Sequence, residues 1–342
     1  MANRLASLLG VDLPIVQAPI GTASVPALAA AVSNAGGLGM LALTWVGARG
    51  AAARIRRVRE LTTGRFGVNL VLDFPIADRL DACLAEGVRI VSTFWGDPAT
   101  VHDTIHDGGA LHLHTVGSAQ EARRAVDAGV DVIVAQGWEA GGHVRGRTAT
   151  LPLVPAVVDA VDPVPVIASG GIADGRGLAA ALMLGAQAVW LGTRFVTATE
   201  ASTHDVYRRH VVDAVGADAV HTLCFDGGWP HAAHRALRNS TLDAWEAAGS
   251  PAAPHRPGEG DVVATDAAGR PHTRYEDLMP MPGMTGDLAD MAMYAGQSAE
   301  LVRDVRPAAD IVRAIADEAA AVVARIGGGY VSGRNATDSG EE

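Results

Sequence analysis

The sequence predicts a (β/α)₈ (TIM) barrel followed by a smaller, mainly helical segment, and three observations support this fold class. Short apolar runs alternate with alanine-rich helical stretches from Pro14 to Phe195. Eight such runs occur, and they are continuously apolar, as expected for parallel strands that are buried on both faces. The chain has 342 residues, 49% of them hydrophobic and 19% charged, which suffices for one large barrel core.

The predicted strands and helices follow one another in regular alternation. Strands are predicted at residues 14–20, 38–43, 66–72, 89–94, 110–116, 130–136, 164–169 and 188–192. Helices are predicted between them at residues 25–34, 48–61, 77–86, 101–106, 118–127, 153–160 and 177–184. Ser118 and Asp174 are expected to be N-caps, whereas Gly87, Gly129 and Gly185 are expected to end helices.

An open, doubly wound sheet is the alternative architecture. It would require a glycine-rich dinucleotide turn after the first strand, and residues 18–22 read Ala-Pro-Ile-Gly-Thr instead. The eight-stranded barrel is therefore preferred.

The pattern of the sequence changes after Phe195. Residues 200–249 read as helical, residues 250–286 are rich in Pro and Gly and read as an irregular excursion or lid, and a helical pattern returns at 298–326. We therefore predict a barrel built from residues 1–197 and 298–326. Residues 198–297 are predicted to be a substrate-covering segment, and residues 327–342 a polar tail.

Composition excludes several classes of function. A net charge of -11 argues against binding to nucleic acid or to an anionic membrane surface. All 27 basic residues are arginine, so lysine-based Schiff-base and P-loop chemistry is excluded. Cys83 and Cys224 form no disulfide or zinc pattern and are expected to be buried. We find no signal-peptide pattern and no apolar run of membrane length, and therefore expect a cytoplasmic protein.

Two glycine-containing turns end the last two predicted strands. The seventh strand ends at Gly170-Gly171 and the eighth at Gly192-Thr193, with Arg194 next. In such barrels ligands bind at the carboxyl ends of the strands, and a phosphate commonly lies on the last two loops. Glycine lets backbone N–H groups approach a phosphate, and a following helix N-terminus adds positive potential. The turns therefore predict a phosphate site, with plain tight turns as the alternative.

The loop after the sixth strand contains Gly141-Gly142-His143. A glycine pair before a histidine favours neither a helix nor a strand, but it suits a loop that holds an imidazole above a flat ligand. A neutral histidine near its ordinary pKa can accept a proton at physiological pH. We predict that His143 is a catalytic base, with a loop histidine of no function as the alternative.

The remaining histidines give weaker indications. His102 and His106 have the i,i+4 spacing of a metal site, but no third ligand is evident, so we interpret them as exposed surface residues. His112 and His114 alternate on a strand, and packing is the preferred interpretation. His231 and His234 fall in the stretch that reads as helical, beside Trp229, and both an orientation towards the active site and one towards solvent stay open.

Six segments of the chain form a specific pattern. They are Pro-Ile-Val-Gln-Ala-Pro-Ile at 14–20, Gly-Val-Asn-Leu at 67–70, Ala-Gln-Gly-Trp-Glu-Ala-Gly-Gly-His at 135–143, Ala-Ser-Gly-Gly-Ile at 168–172, Gly-Thr-Arg-Phe at 192–195 and Tyr-Ala-Gly-Gln-Ser at 294–298. In this unbroken order they resemble the nitronate monooxygenase family, formerly called 2-nitropropane dioxygenases.

The resemblance implies a barrel that binds FMN noncovalently, with the phosphate on the two glycine turns. The backbone of residues 18–20 would pack against the isoalloxazine, and Asn69, Gln136 and Gln297 would donate hydrogen bonds to it. The residues predicted to contact FMN are Ala18, Pro19, Ile20, Asn69, Gln136, Gly141, Gly142, Ser169, Gly170, Gly171, Leu191, Gly192, Thr193 and Gln297.

The resemblance also implies an activity, the oxidation of alkyl nitronates and nitroalkanes by O₂ to a carbonyl compound and nitrite. The flavin would transfer the electrons, and His143 would remove the α-proton of a neutral nitroalkane. The expected partners are a small-molecule substrate and O₂, without nucleic acid or membrane, and a homo-oligomer is compatible with the sequence.

Two features depart from the family pattern, and two other functions stay open. The family loop usually reads Gly-Gly-His-X-Gly, whereas Val144 and Arg145 both precede Gly146 here. The chain also lacks the lysine that some members use for an acidic nitronate, for which Arg145 offers a bidentate substitute.

The scaffold equally resembles NAD(P)H-dependent flavin reductases of the enoyl-ACP reductase or quinone reductase type. A noncatalytic barrel that binds a phosphorylated metabolite is a third hypothesis.

Overall fold

Eight parallel strands close into a barrel in the computed structural model, which describes residues 4–332. The barrel strands are β1 (Ile15–Gln17), β2 (Gly39–Ala42), β3 (Phe66–Val71), β4 (Ile90–Phe94), β5 (Leu111–Val116), β6 (Val132–Gln136), β8 (Val166–Ser169) and β9 (Ala188–Leu191). A two-residue strand, β7 (Gly142–His143), lies outside the barrel sheet.

Closure of the sheet decides between the two predicted architectures. Strand β1 pairs with β9 on one side, and on the other side the Gln17 N–H donates to the Leu38 carbonyl just before β2. The Leu38 N–H in turn donates to the Ile15 carbonyl. The (β/α)₈ barrel is therefore confirmed, and the open doubly wound sheet is wrong.

Of the nine helices within residues 4–196, seven occupy the predicted intervals, and the first and the last lie outside them. They are α1 (Arg4–Leu9), α2 (Pro26–Asn34), α3 (Ala48–Leu61), α4 (Ala77–Ala85), α5 (Ala99–Asp107), α6 (Ala119–Asp127), α7 (Thr150–Val161), α8 (Gly175–Met183) and the short α9 (Thr193–Val196). The side chains of Ser118 and Asp174 cap α6 and α8 as predicted. Gly87, Gly129 and Gly185 adopt positive φ just after helices, the conformation in which glycine ends a helix.

The barrel interior is filled by apolar side chains from alternate strand positions. Met40, Leu113 and Trp190 belong to this buried cluster. Leu5 and Leu9 of α1 join it, and the Leu5 N–H donates to the Gln187 side chain directly before β9. Helix α1 therefore covers the amino ends of the strands, which leaves the carboxyl ends for a ligand.

The segment after the barrel strands contains helices and two small sheets. Its elements are α10 (Asp205–Asp213), β10 (Ala219–Thr222), β11 (His234–Leu237), α11 (Ser240–Ala247), β12 (Val262–Thr265), β13 (Pro271–Thr273) and β14 (Thr285–Gly286). The helical reading of residues 200–249 is thus wrong where β10 and β11 form. Residues 231–234 are likewise not helical, because they lead from a turn into β11.

The chain then returns to the barrel through α12 (Ala308–Ser332). Buried residues of α12, among them Ile311 and Ile315, pack against α8 and α2 and complete the ring of helices. Residues 298–307, predicted as helix, instead hold a 3₁₀ turn at Gln297–Leu301 and irregular chain. The helix runs past the predicted start of the polar tail at residue 327, and residues 333–342 of that tail lie outside the described residues.

Two further expectations concern the cysteines and membrane-spanning helices. Cys83 and Cys224 are free thiols and buried, as predicted. Within residues 4–332, no helix combines the length and the apolar character needed to cross a membrane.

Candidate active site

A cavity of about 360 Å³ opens at the carboxyl ends of the barrel strands, between the barrel and the segment that follows it. This volume lies in the range of small-molecule sites. Thirteen of the residues predicted from the sequence line it: Ala18, Pro19, Ile20, Asn69, Gln136, Gly141, Gly142, His143, Ser169, Gly170, Gly171, Gly192 and Thr193.

Two predicted residues do not line the cavity. Leu191 is a buried strand residue whose carbonyl accepts a hydrogen bond from the Ala18 N–H. Gln297 is exposed, and its backbone N–H donates to the Glu139 carbonyl. The neighbouring Ser298 lines the cavity in its place, because the 3₁₀ turn that begins at Gln297 directs the next side chain inward.

The two glycine turns present unused backbone donors. Gly170 and Gly171 have φ values of 97° and 70°, a left-handed conformation that costs other residues free energy. None of the backbone hydrogen bonds found among residues 4–332 uses the N–H groups of Gly170, Gly171 or Gly192. Three N–H groups on adjacent turns are therefore available to an anion such as a phosphate.

Two other parts of the predicted phosphate site have different roles. Arg194 is buried and points away from the cavity, where its guanidinium donates to Asp304 at 2.6 Å. The N-terminus of α8 is already capped, because Asp174 accepts from the Gly177 N–H at 3.1 Å and Glu318 from the Gly175 N–H at 2.8 Å. The arginine charge and this helix N-terminus, both expected from the sequence, thus do not contribute to the site.

Two amide side chains line the cavity next to the glycine turns. One N–H of Gln136 donates to the His143 carbonyl at 3.1 Å, and the Asn69 amide lies 3.3 Å from the Ser92 carbonyl. Each amide carries a second N–H and an acceptor oxygen. Both residues can therefore hold a further polar ligand group while keeping these contacts.

His143 is held in place by a strand from the post-barrel segment. It lies in β7, which pairs antiparallel with β11 so that His143 faces His234. The pairing is extended by the Val144 N–H, which donates to the Ala233 carbonyl at 2.9 Å. The prediction that the Gly-Gly-His loop is unfit for a strand is wrong, because Gly142 has a φ of 71° and bends the chain into this register.

The imidazole of His143 is enclosed by aromatic groups. Its ring centroid lies 4.2 Å from that of Trp229 and 5.7 Å from that of Tyr294. Burial, with a smaller effect of the nearby His234 ring, lowers the pKa of His143 to about 3. The imidazole is therefore neutral at physiological pH and has a nitrogen lone pair that can accept a proton.

Sequence reasoning missed Asp277, a carboxylate that faces His143. Its Oδ2 lies 3.8 Å from His143 Nε2, and its Oδ1 accepts a hydrogen bond from the Tyr294 hydroxyl. Burial raises the pKa of Asp277 to about 7. Asp277 comes from a Pro- and Gly-rich segment without periodicity, and no local pattern indicates that it meets a loop more than a hundred residues earlier.

The cavity has no cationic side chain within residues 4–332. Arg145, the predicted carboxylate ligand, lies 3.4 Å from Glu121 and over the Trp95 ring instead. Among the described side chains, no cluster of His, Cys, Asp or Glu is arranged to hold a metal. The chemistry of the site therefore rests on one histidine, one carboxylate, two tyrosines, amides and backbone donors.

The four other histidines considered for a metal or packing role lie away from the cavity. His112 and His114 are buried on the outer face of β5, and both contact the Thr93 hydroxyl, as the packing interpretation predicts. His106 is exposed and paired with Asp131 at 2.8 Å, whereas His102 is half-buried rather than exposed.

A flavin fits the residues that are present. The free N–H groups suit a phosphate, and the apolar residues 18–20 offer a surface for a flat ring. A Cβ added at Gly142 would meet no atom within 4 Å, so open space lies directly over this glycine. A Cβ at Gly141, in contrast, would lie 2.4 Å from the Gly296 nitrogen, which explains the need for glycine there.

Comparison with known proteins identifies a family to which this chain is similar. The family model for nitronate monooxygenase matches residues 2–79 and 74–318. The chain is 36% identical to a nitronate monooxygenase of Pseudomonas aeruginosa, with 93% of this chain and 99% of the relative covered. It is 37% identical to the (3aS,4S,5R,7aS)-5-hydroxy-7a-methyl-1-oxo-octahydro-1H-indene-4-carboxyl-CoA dehydrogenase of Mycobacterium tuberculosis, over 72% of this chain and 69% of that protein.

Two solved structures share the whole fold. The FabK structure from Thermotoga maritima superposes with a TM-score of 0.78 at 32% identity, covering 96% of this chain and 99% of FabK. The nitroalkane oxidase from Streptomyces ansochromogenes also has a TM-score of 0.78, at 31% identity, covering 94% of this chain and 99% of the oxidase.

Proposed function

The chain belongs to the nitronate monooxygenase family, and from that premise we propose that it uses FMN and O₂ to oxidise small, uncharged nitroalkanes and their nitronates to a carbonyl compound and nitrite. Its family makes it a flavin-dependent oxidoreductase. The observation that carries the proposal is the position of His143. Its neutral imidazole lies at a cavity whose glycine turns have free backbone N–H groups that can bind a phosphate.

In this proposal FMN is held mainly by backbone groups. The N–H groups of Gly170, Gly171 and Gly192 bind the phosphate, and the Asn69 and Gln136 amides hydrogen-bond the ring system. Bound flavin supplies the electron transfer, whereas the protein supplies binding, orientation and proton transfer. Ser298 replaces Gln297 as the residue of the C-terminal motif that contacts the cofactor.

His143 prepares the substrate for oxidation. A neutral nitroalkane must lose its α-proton to become the electron-rich nitronate, and the neutral imidazole accepts that proton. The absence of a cationic side chain from the described cavity wall disfavours a carboxylated nitronate, since a second negative charge would have no partner. The favoured substrate is therefore a small nitroalkane without a carboxylate.

We further propose that residues 198–297 cover the substrate over a barrel formed by residues 1–197 and 298–326. Asp277, Met279, Tyr294 and Trp229, all from the covering segment, line the cavity opposite the barrel residues. The Trp229 indole lies on the His143 ring and donates to Asp73 at 3.2 Å, so it shields the imidazole from water.

Anaerobic reduction of the purified flavoprotein tests this function. We expect one FMN per chain, identified after acid release, and rapid bleaching of its visible absorbance by ethyl nitronate. Release of FAD, or a colourless protein, would contradict the cofactor assignment. The colourless result would also favour a noncatalytic barrel that binds a phosphorylated metabolite.

A flavin reductase driven by NAD(P)H is the second candidate, favoured by the likeness to FabK. The cavity wall argues against it, because a pyridine dinucleotide is polyanionic and the described lining offers no arginine. Fast bleaching by NADH or NADPH, together with inertness towards ethyl nitronate, would replace the proposed function with this one.

A further inference from the structure

We propose that Asp277 is a positioning residue for the base, whose carboxylate faces His143 and stabilises the imidazolium that forms when His143 takes the substrate proton. This proposal rests on the proposed function. It adds a second residue, from a different part of the chain, to the proton-transfer step.

The geometry singles out this pair. His143 Nε2 is shielded from solvent and has no hydrogen-bond partner among the described residues, although Asp277 Oδ2 lies 3.8 Å away. Both side chains are only 12% exposed. Asp277 is also the sole carboxylate among the described residues that line the cavity. A small shift would close the gap to hydrogen-bond distance, as is common when an active site receives its ligands.

The carboxylate is fixed by its own local structure. The Asp277 N–H donates to the Gly227 carbonyl at 2.9 Å, and Gly227 forms a parallel bridge with Glu276. Tyr294 donates its hydroxyl to the second carboxylate oxygen. These contacts leave Oδ2 directed at the imidazole, because both the backbone and Oδ1 already have partners.

The electrostatics show why the imidazole needs this partner. With a pKa of about 3, His143 has a free lone pair at neutral pH but holds an added proton poorly. A base is most effective when its pKa lies near the working pH. A carboxylate within about 4 Å favours the protonated imidazole, which raises the basicity of His143 towards that range.

The proton balance of the step is simple. The α-carbon to hydrogen bond of the nitroalkane breaks, its electron pair stays on the nitronate, and a new N–H bond forms on His143. Asp277 keeps its negative charge throughout and ends opposite an imidazolium. The pair thus goes from a net charge of -1 to neutral while the substrate goes from neutral to -1.

The ionisation of Asp277 gives this step a pH dependence. Burial raises the pKa of Asp277 to about 7, and the Tyr294 hydrogen bond acts in the opposite direction. The titratable groups that face the pair are Tyr294 and, from neighbouring elements, Tyr207 and His234. Below about pH 7 the carboxyl is protonated and cannot stabilise an imidazolium. Activity on a neutral nitroalkane should therefore rise as pH passes through 7, with an apparent pKa that belongs to the pair.

The test compares Asp277→Asn and Asp277→Glu with the wild-type flavoprotein. The Asn side chain still accepts from Tyr294, so the variant keeps its shape but loses the charge. We expect kcat/KM for freshly diluted nitroethane to fall on the order of 10²-fold in Asp277→Asn and to lose its rise near pH 7. Asp277→Glu should restore both the kcat/KM for nitroethane and its rise near pH 7. In Asp277→Asn, turnover of preformed ethyl nitronate should change by less than about threefold, because no proton is removed from this substrate.

A second measurement isolates proton transfer from oxidation. Exchange of α-deuterium from nitroethane into water, followed by NMR without O₂, should fall in Asp277→Asn in parallel with kcat/KM. Asp261→Asn removes an exposed carboxylate of the same segment and should behave like the wild type. Equal losses on nitroethane and ethyl nitronate, or an unchanged pH profile, would overturn the proposal. Failure of the proposed function is distinct, because the wild type itself would then not oxidise ethyl nitronate.

Discussion

His143 combines three properties that suit a base. It has a fixed backbone, an enclosed ring and a neutral imidazole at physiological pH. The strand pairing with β11 fixes the backbone, whereas Trp229 and Tyr294 surround the ring. Such a residue is suited to proton transfer, and its uncharged ring offers no positive charge to a phosphate.

Replacement of His143 by Asn should therefore separate two substrates. Asn keeps polarity but does not accept a proton at neutral pH, so turnover of nitroethane should fall by a factor on the order of 10²–10⁴. Ethyl nitronate has already lost its proton, and its turnover should fall much less. Paired steady-state assays measure the two losses, with flavin absorbance as a check on occupancy.

His210→Asn provides the matched control, because His210 is an exposed histidine whose Nδ1 contacts the Val206 carbonyl and which does not line the cavity. It should leave both activities unchanged. Equal losses on the two substrates in His143→Asn would show that His143 is not a base, and loss of flavin would make it a structural residue.

The sequence identified the residues of the site that lie in short, continuous motifs. Gly170, Gly171 and His143 are recognisable because glycine pairs next to predicted strands have few other uses. Asp277 and Trp229 were not assigned roles, since they reach the cavity only through the path of the covering segment. Arg194 was misplaced for a related reason, because its partner Asp304 lies 110 residues further along the chain.

At the scale of elements, the turn after β8 is the part on which the proposed FMN site depends most. Its two glycines hold positive φ and leave their N–H groups free. A Cβ at Gly171 would lie 3.0 Å from the Glu139 side chain, whose carboxylate accepts from the Thr150 N–H. The turn therefore has no room to rearrange around a side chain without disturbing the start of α7.

Gly171→Val should consequently weaken FMN binding. The branched side chain opposes the left-handed conformation by about 1–2 kcal/mol and moves the N–H groups away from the phosphate. We expect at least a tenfold rise in the Kd for FMN, measured by fluorescence of the released flavin. Full flavin occupancy after gel filtration would contradict the phosphate assignment.

Gly269→Val separates this effect from backbone strain alone. Gly269 also has a positive φ of 80°, but a Cβ there would meet no atom within 4 Å. It lies in the turn between β12 and β13, away from the cavity. We expect this variant to lose stability to a similar extent while keeping its FMN.

The same scale shows why the fold was predictable in one half of the chain and not in the other. Apart from the closing pair of β1 and β9, each barrel strand pairs with the next barrel strand of the chain, and most barrel strands are continuous apolar runs. Strand β11 pairs with β7, about ninety positions earlier, and carries the mixed sequence His-Arg-Ala-Leu. It also pairs with the preceding strand β10, so its conformation is set by both partners rather than by local propensity.

The whole molecule should be sensitive to acid because of its buried histidines. Burial lowers the pKa of His112 and His143 to about 3, and that of His114 and His234 to about 4. The unfolded chain, with histidine pKa values near 6.5, binds more protons than the folded protein below that pH. The stability from the neutral histidines is thus fully present above pH 6.5 and is lost as pH falls towards 4.

We therefore expect the thermal midpoint to fall steeply between about pH 6.5 and pH 4.5. Each neutral buried histidine contributes up to about 1.4 kcal/mol of lost stability per pH unit in this window. His112→Gln should flatten the slope, whereas the exposed His210→Gln should not. A midpoint that stays constant across the window would contradict the burial of these groups as neutral imidazoles.

Helix α12 packs against the barrel but lies near the end of the chain, and this order has a consequence for folding during synthesis on the ribosome. The last barrel strand ends at Leu191, but the helix that covers α2 and α8 begins only at Ala308. At about 5–20 residues per second, a ribosome needs several seconds or more to synthesise the intervening chain. During that time the nascent barrel exposes an apolar stripe that its own final helix will cover. We expect cotranslational chaperones to bind this stripe until α12 is in place.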